Sequence, residues 1–311
     1  MAVLAIDLGG TRLRVAFVRA PGVPPERVTR LATRPEEGFP NVLDRMIAAA
    51  HEVLAGEPIE RVGVAAPGPL DPRRGVMLRP PNFPRWPAET PLADALAGRL
   101  GVPVVVDNDA NVAALGEWQA GAGRGVDNLV YFTVSTGIGG GVIVGGAILH
   151  GAHGYAGELG HLVVQADGPV CGCGGRGCLE ALASGTAIAR QADERLRAGE
   201  PSVLRPGATA VDVFAAARAG DRLAAAVVAR AMDWLGVGVV NALHLFDPAM
   251  VILGGGVTNA GRLVLDPVTR VVAERAMPPF RQTPIVEAGL GDDAGIYGAA
   301  ALAFGEGSRD P

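Results

Sequence analysis

The stretch from Leu129 to Gly151 constrains the fold of this chain most strongly. It carries no acidic or basic residue except the terminal His150, and Gly137, Gly141 and Gly145 repeat the GxxxG spacing of paired membrane helices. Six glycines nevertheless lie between 137 and 146, and each costs about 1 kcal/mol in a helix interior. Val130 to Val134 before them and Val142 to Val144 after them are strand formers. A strand, a glycine turn and a second strand are therefore expected, not a membrane span. The amino terminus reads the same way: Val3 to Ile6 as a strand, Asp7 to Thr11 as a turn, Leu13 to Val18 as a second strand. Two such hairpins, with Gly-Thr and Thr-Gly turns, suggest two related halves around a cleft.

Between and after them, strands alternate with helices. The spacing of Val42, Leu43, Met46 and Ile47 predicts a helix over 39–54. Arg61 to Ala66 reads as a strand ending at Pro67-Gly68-Pro69, and Pro80 to Pro91, with five prolines, as an ordered surface loop. A helix over 92–100 and a buried strand over 102–106 lead to Asp107-Asn108-Asp109, which supplies N-cap chemistry for a helix running to about Trp118. An irregular stretch from His150 to Gly177 follows, then helices from Leu179 to Leu245, the longest from Asp221. A strand at 250–253, a helix at 261–276, a strand at 284–288 and a helix from about Asp293 to Phe304 close the chain. This alternation implies an α/β protein of two lobes.

Composition excludes several function classes. Of 311 residues, 49% are hydrophobic and 19% charged, enough for a sizeable core and too apolar for disorder. A net charge of -5 offers no footprint for nucleic acid. All 27 basic residues are Arg, so mechanisms that need a catalytic lysine are out, the P-loop among them. The start, MAVLAIDLGG, has no charged leader and no cleavage site, so a cytoplasmic protein with no membrane partner is expected.

The chemistry concentrates in four places. All three cysteines lie in the eight residues Cys171-Gly-Cys173-Gly-Gly-Arg-Gly-Cys178. Three thiolates at this spacing, with glycines between them, can point at one centre, and tetrahedral zinc wants a fourth ligand. His161 is the nearest histidine, with His153 and His150 as alternatives. Four protein ligands leave no open position, so the zinc is expected to be structural. Gly172, Gly174 and Gly177 form a formal GxGxxG, but without a preceding strand the dinucleotide reading fails. Glu158 and Glu180 flank the zinc stretch, where a rigid carboxylate suits recognition of a polyol.

Asp7-Leu-Gly-Gly10-Thr11 is a candidate phosphate loop, with backbone N–H groups, a hydroxyl, and a carboxylate able to hold magnesium through water. Ser135-Thr136-Gly137 and the glycines after it offer the same chemistry, and Gly254-Gly255-Gly256 a close-approach surface for a nucleotide. Of Asp107 and Asp109, one carboxylate is a candidate general base, with Asn108 a substrate hydrogen-bonder.

These segments, together with Gly151-Ala-His-Gly-Tyr-Ala-Gly-Glu-Leu-Gly-His161, resemble the ROK family of sugar kinases and repressors, in order and over essentially the whole chain. The likeness is closest to its ATP-dependent glucokinases. It implies the actin-like, ribonuclease H-like fold of two α/β domains with ATP and sugar in a central cleft. The boundaries it suggests are 1–110 plus 297–311 for a small domain and 111–296 for a large one. The resemblance implies a base at Asp109 and sugar contacts at Gly68, Asn82, Asn108, Asp109, Glu158, His161 and Glu180. It implies zinc ligands at His161, Cys171, Cys173 and Cys178, with one ring nitrogen of His161 on the metal and the other on a sugar hydroxyl. The nucleotide side falls on Asp7, Gly10, Thr11, Arg12, Thr136, Gly137, Gly255 and Gly256. Many relatives have Lys where this chain has Arg12, so a contact there would be guanidinium-like.

The expected activity is transfer of phosphate from ATP, with Mg2+, to the 6-hydroxyl of a hexose, glucose first, by a homodimer or homotetramer holding one zinc per chain. A kinase for fructose or an N-acetylated amino sugar is the alternative. A sugar-responsive repressor is disfavoured, because such relatives carry a DNA-binding domain before the first strand, which here begins at residue 3. Asp107, beside the base, is expected to matter little to kcat.

Overall fold

The computed structural model describes residues 2–80 and 82–307. The first hairpin forms as its alternation requires. β1 (Val3–Leu8) and β2 (Arg12–Val18) pair antiparallel, Val3 opposite Val18 and Leu8 opposite Leu13. β3 (Arg27–Ala32) extends β2 on its outer side. Sequence reading omits this strand because none of its six residues is fully buried, so no apolar alternation announces it. α1 (Phe39–Leu54) buries Val42, Met46, Ala49, Ala50 and Val53, a helical stripe that joins the core cluster built on Leu4, Ile6, Val15 and Phe17.

β4 (Arg61–Ala66) runs parallel to β1. The short strands β5 (Leu70–Asp71), β6 (Val76–Leu78) and β7 (Glu89–Thr90) form a separate small sheet, the last inside the proline-rich stretch. α2 (Leu92–Leu100) leads to β8 (Val104–Asn108), which lies parallel to β4 and completes the order β3-β2-β1-β4-β8. β8 is displaced by two residues from the expected strand, because Ala65 and Ala66 stay in register with Asp107 and Asn108. That register carries the polar triplet to the end of a buried strand, where α3 (Asp109–Ala120) begins.

The second half repeats the plan. β9 (Leu129–Val134), β10 (Ile138–Val144) and β11 (Ala147–Ile148) are followed by the helices α4 (Leu179–Ala183), α5 (Gly185–Arg197), α6 (Ala210–Arg218) and α7 (Arg222–Phe246). β12 (Met250–Gly254), α8 (Arg262–Arg275), β13 (Ile285–Glu287) and α9 (Ala294–Phe304) close the chain. The second sheet has the order β11-β10-β9-β12-β13, with β12 parallel to both β9 and β13. Each sheet thus sets a hairpin beside parallel strands. Among the described residues one helix, α7, is long and apolar enough to cross a membrane by length and composition; 61% of its apolar window is buried, against α4, α5, α6 and α8.

Two compact units result: Met1–Asp127 with Gly141–Gly157 and Gly289–Pro311, and Asn128–Gly140 with Glu158–Ala288. The first therefore includes α3 and the whole of α9, beyond the boundaries at 110 and 297 that the sequence suggests. The reason is the packing of α3 on α9. A Cβ at Gly116 would overlap the carbonyl oxygen of Ala294, and one at Gly298 that of Val112, so the two backbones approach as only glycine permits. Glu117, fully buried, closes the end of α3: its carboxylate accepts the N–H groups of Ala122 (2.8 Å), Gly289 (2.9 Å) and Leu290 (2.8 Å).

Gly298→Ala is expected to lower unfolding free energy by about 1–3 kcal/mol in urea titrations, the usual range for overpacking. Gly98→Ala, in α2 with nothing within 4 Å of its Cβ, should be neutral or gain up to about 1 kcal/mol. Equal effects at the two sites would contradict the close crossing of α3 and α9.

Candidate active site and metal centre

In the first unit, the turn after β1 is held by Gly9 N–H donating to Arg12 O (2.9 Å) and by the Thr33 hydroxyl donating to Gly9 O (2.6 Å). Gly10 packs against the side chain of Asn82, where a Cβ would sit 3.4 Å from the Asn82 Cβ. Gly68 packs against the amide of Asn108, with 3.1 Å between such a Cβ and Nδ2. Four of the expected ligand contacts are thus brought together in pairs. Thr11 and Arg12 are exposed, and the Arg12 guanidinium lies 3.8 Å from Asp292.

Asp7 is the expected magnesium carboxylate, and the structure shows a partner that sequence reading missed. Arg14 donates to Asp7 Oδ2 through Nε (2.9 Å) and Nη2, and its Nη1 reaches the carbonyl of Asp292 and the carboxylate of Asp293 (3.5 Å). Burial pushes the Asp7 carboxyl above its ordinary 3.8, and the Arg14 guanidinium opposes that rise.

The triplet at the β8–α3 junction divides sharply. Asn108 caps the helix, its Oδ1 accepting the N–H of Ala110 at 2.9 Å. Asp109 occupies the first helical position and is exposed. Asp107 is only 2% exposed, and its carboxylate is committed inward. Oδ1 accepts the N–H of Asn108 (2.6 Å) and Nδ2 of Asn111 (3.2 Å), while Oδ2 lies 2.6 Å from His150 Nε2. Asp107 is a hub of hydrogen bonds, and of the two carboxylates Asp109 is the exposed one.

In the second unit, α5 docks on the Ser135–Thr136 turn: Gly185 N–H donates to Ser135 O (2.8 Å), and the Thr186 hydroxyl to Thr136 O (2.9 Å). A 750 Å³ cavity opens here, lined by Ser135, Thr136, Thr186, Phe214, Gly256 and Asn259 among others. Thr136 and Gly256 were expected at a nucleotide site. Thr186, Phe214 and Asn259 carried no motif, being dispersed along an Ala-rich helical region and a loop, and only the fold assembles them. Gly255, with φ +89, precedes Gly256 at the end of β12.

Glu180, in the first turn of α4, accepts the Ile138 N–H at 2.9 Å through Oε2, and that oxygen leaves no room for a side chain at Gly137. Its Oε1 lies 3.9 Å from Cys171 Sγ.

His161, Cys171, Cys173 and Cys178 converge, their ligand atoms all within 4.8 Å of one another. Gly174, at φ +90, allows the backbone to fold back between the cysteines, and its N–H donates to Cys171 O at 3.0 Å. Cys173 and Cys178 sulfurs are 3.7 Å apart, as are Cys171 Sγ and His161 Nδ1. Zn–S bonds of about 2.3 Å and Zn–N bonds of about 2.0–2.1 Å put tetrahedral ligand atoms about 3.6–3.8 Å apart, so this set fits that ion. All three cysteines are free thiols. Burial, then the neighbouring thiols, push Cys178 up to about 12, whereas the Gly175 backbone N–H first of all lowers Cys173. The other ring nitrogen of His161 faces Glu158, 3.9 Å from Oε2. His153, an alternative fourth ligand, lies outside this set, and His150 is bound to Asp107.

Two α/β units, each a hairpin beside parallel strands, with a cavity at one glycine turn and a Cys₃His cluster, define a sugar-kinase-like protein. Residues 3–306 match the ROK family, and the chain belongs to it. It is 42% identical to a glucokinase of Thermotoga maritima over 97% of both chains. Among solved structures it resembles a ROK hexokinase from Thermus thermophilus, with 37% identity, 98% of each chain covered and a TM-score of 0.84. It also resembles a ROK family glucokinase from Streptomyces griseus in complex with glucose and AMPPNP, with 36% identity, 98% of this chain and 100% of that one covered, and a TM-score of 0.82.

Glu180→Ala removes the acceptor of the Ile138 N–H. Hydrogen exchange at that amide should quicken by about 10- to 100-fold, as expected for a lost bond to a charged group, and clearly less in Glu180→Gln, which keeps an acceptor oxygen. Unchanged protection in Glu180→Ala would break the link between Glu180 and the glycine turn.

Proposed function

We propose that this chain transfers the γ-phosphoryl group of ATP to the 6-hydroxyl of a hexose, glucose first, with Asp109 as general base. The observation that carries the residue assignment is the contrast at one junction: Asp109 exposed at the helix start, Asp107 buried and fully occupied. Family membership and likeness to glucokinases support the reaction class. Asp109 takes the hydroxyl proton as the oxygen attacks phosphorus in line. Gly68, Asn82, Asn108, Glu158, His161 and Glu180 are the residues that the family resemblance implies for the sugar hydroxyls. The 750 Å³ cavity lined by Thr136 and Gly256 takes the nucleotide, and the family resemblance implies further nucleotide contacts at Gly10, Thr11, Arg12, Gly137 and Gly255. Mg2+ neutralises developing charge when bound, and Asp7 is the residue to hold it through water.

The test is a coupled ADP-release assay over a hexose panel with wild type and Asp109→Asn. Glucose should exceed fructose, galactose and N-acetylated hexosamines in kcat/KM, since a pocket built around hydroxyls penalises misplaced ones. Asp109→Asn should lose about 10²–10⁴ in kcat, the range for a missing general base, with sugar affinity nearly unchanged. A better N-acetylated substrate, or a variant keeping more than about a tenth of kcat, sinks the respective assignment.

We infer further that His161, Cys171, Cys173 and Cys178 hold one structural zinc that orders the segment carrying Glu180. Elemental analysis of reduced protein should find one zinc per chain, and Cys173→Ala should lose it and weaken sugar binding more than ATP binding. Metal-free wild type would overturn this.

A further inference from the structure

We propose that His150 is a positioning residue of the phosphoryl-transfer site: with Asp107 it forms a half-buried hydrogen-bonded pair that fixes the junction bearing Asn108 and Asp109 and fastens the loop that leads into Glu158. The inference rests on the reading of Asn108, Asp109 and Glu158 as sugar-handling residues, none of which His150 is itself expected to touch.

The geometry is local to the first unit. His150 Nε2 lies 2.6 Å from Asp107 Oδ2, and the Asn108 N–H donates to Oδ1 of the same carboxylate at 2.6 Å. One carboxylate therefore couples the imidazole to the backbone of the helix cap. Asp107 also accepts from Nδ2 of Asn111, in the first turn of α3. On its other side, His150 begins the glycine-rich loop 150–157, and its carbonyl accepts the N–H of Ala156 at 3.1 Å, closing that loop on itself. Gly154 in the same loop packs against the ring of Pro72. The next residue along the chain is Glu158. A single side chain thus ties the junction bearing Asn108 and Asp109 to the loop that precedes Glu158, more than forty positions away in sequence.

A carboxylate only 2% exposed requires a compensating partner, and the His150 ring is one. The Asp107 hydrogen bond, the largest influence, raises the His150 pKa above its ordinary 6.5, while burial and the Arg73 guanidinium lower it. A raised folded-state value means that the pair is fully formed below 6.5 and is lost as pH climbs through the folded value. The charge on His150, rather than the mere presence of a donor, then sets how firmly the junction is held.

His150→Gln keeps a hydrogen-bond donor and removes the charge. At pH 6 the glucose kcat/KM of wild type should exceed that of His150→Gln by about tenfold, the low end for a hydrogen bond to a charged group, with the KM for ATP unchanged within about twofold. The ratio of the two enzymes should shrink toward one as pH rises to 9, whereas a purely structural defect would give a ratio that does not depend on pH. Imidazole NMR, with the His150 signal assigned by its loss in His150→Gln, should show titration above 6.5 in wild type and a lower midpoint in Asp107→Asn. A pH-independent ratio, or a His150 midpoint at or below 6.5 in wild type, overturns the proposal. Wild type without hexose turnover fails the kinase reading instead, and the NMR titration still decides the pair.

Discussion

A carboxylate shut away from water must find its partners within the protein, and Glu117 finds three backbone N–H groups. Two of them belong to Gly289 and Leu290, where the chain re-enters the first unit, and the third to Ala122 just past α3. Each bond to a charged group contributes about 1.5–3 kcal/mol, and an orphaned carboxylate at this site would cost more than any one of them. The end of α3 is thereby bound to the start of the segment that becomes α9, and the Gly116–Gly298 crossing locks the two helices along their length. At the other end, Asn108 and Asp107 hold the first turn. Asp109 stands on a helix fixed at both ends and along one face, the rigidity that the proposed general base would require.

The second unit solves the same problem with different chemistry. Its glycine turn has no side chains of its own to hold it, so neighbours do. α5 pins Ser135 and Thr136 through Gly185 and Thr186, and Glu180 takes the N–H of Ile138. Glu180 stands two residues after Cys178, with its second oxygen 3.9 Å from Cys171 Sγ. Order in the cysteine loop therefore reaches the glycine turn through one carboxylate. A metal at the Cys₃His cluster would act on the site without touching a phosphate, by narrowing the positions open to Glu180.

Much of this was legible before any coordinates. Helices α1 and α2 fall on their expected residues because apolar spacing and capping glycines agree there. The hairpins were readable because glycine forbids the helical alternative. The Cys₃His cluster is legible because its three cysteines lie within eight residues, and the structure brings His161 rather than His153 or His150 beside them. What sequence hides is whatever depends on distant partners. β3 is amphipathic in neither period, Arg14 looks like any strand arginine until Asp7 and Asp293 close around it, and Thr186 and Phe214 become cavity walls only when α5 and α6 pack.

Asp107 and Asp109 show where the limit lies. They are the same residue type, two positions apart, and in a continuing strand they would share one face. β8 ends at Asn108, whose φ of -60 and ψ of 137 are extended, and α3 begins at the next residue. The change of period at that one residue turns the two carboxylates apart, one into the core toward His150 and Asn111, the other outward at the helix start. Composition, charge and residue type cannot distinguish them. The strand register does: had β8 stopped at Val106, as apolar runs alone suggest, the cap would fall on Asp107 and the buried and exposed roles would shift. Pairing of Ala65 with Asp107 and Ala66 with Asn108 prevents this, so which carboxylate is buried and which exposed is decided by backbone hydrogen bonds in the sheet.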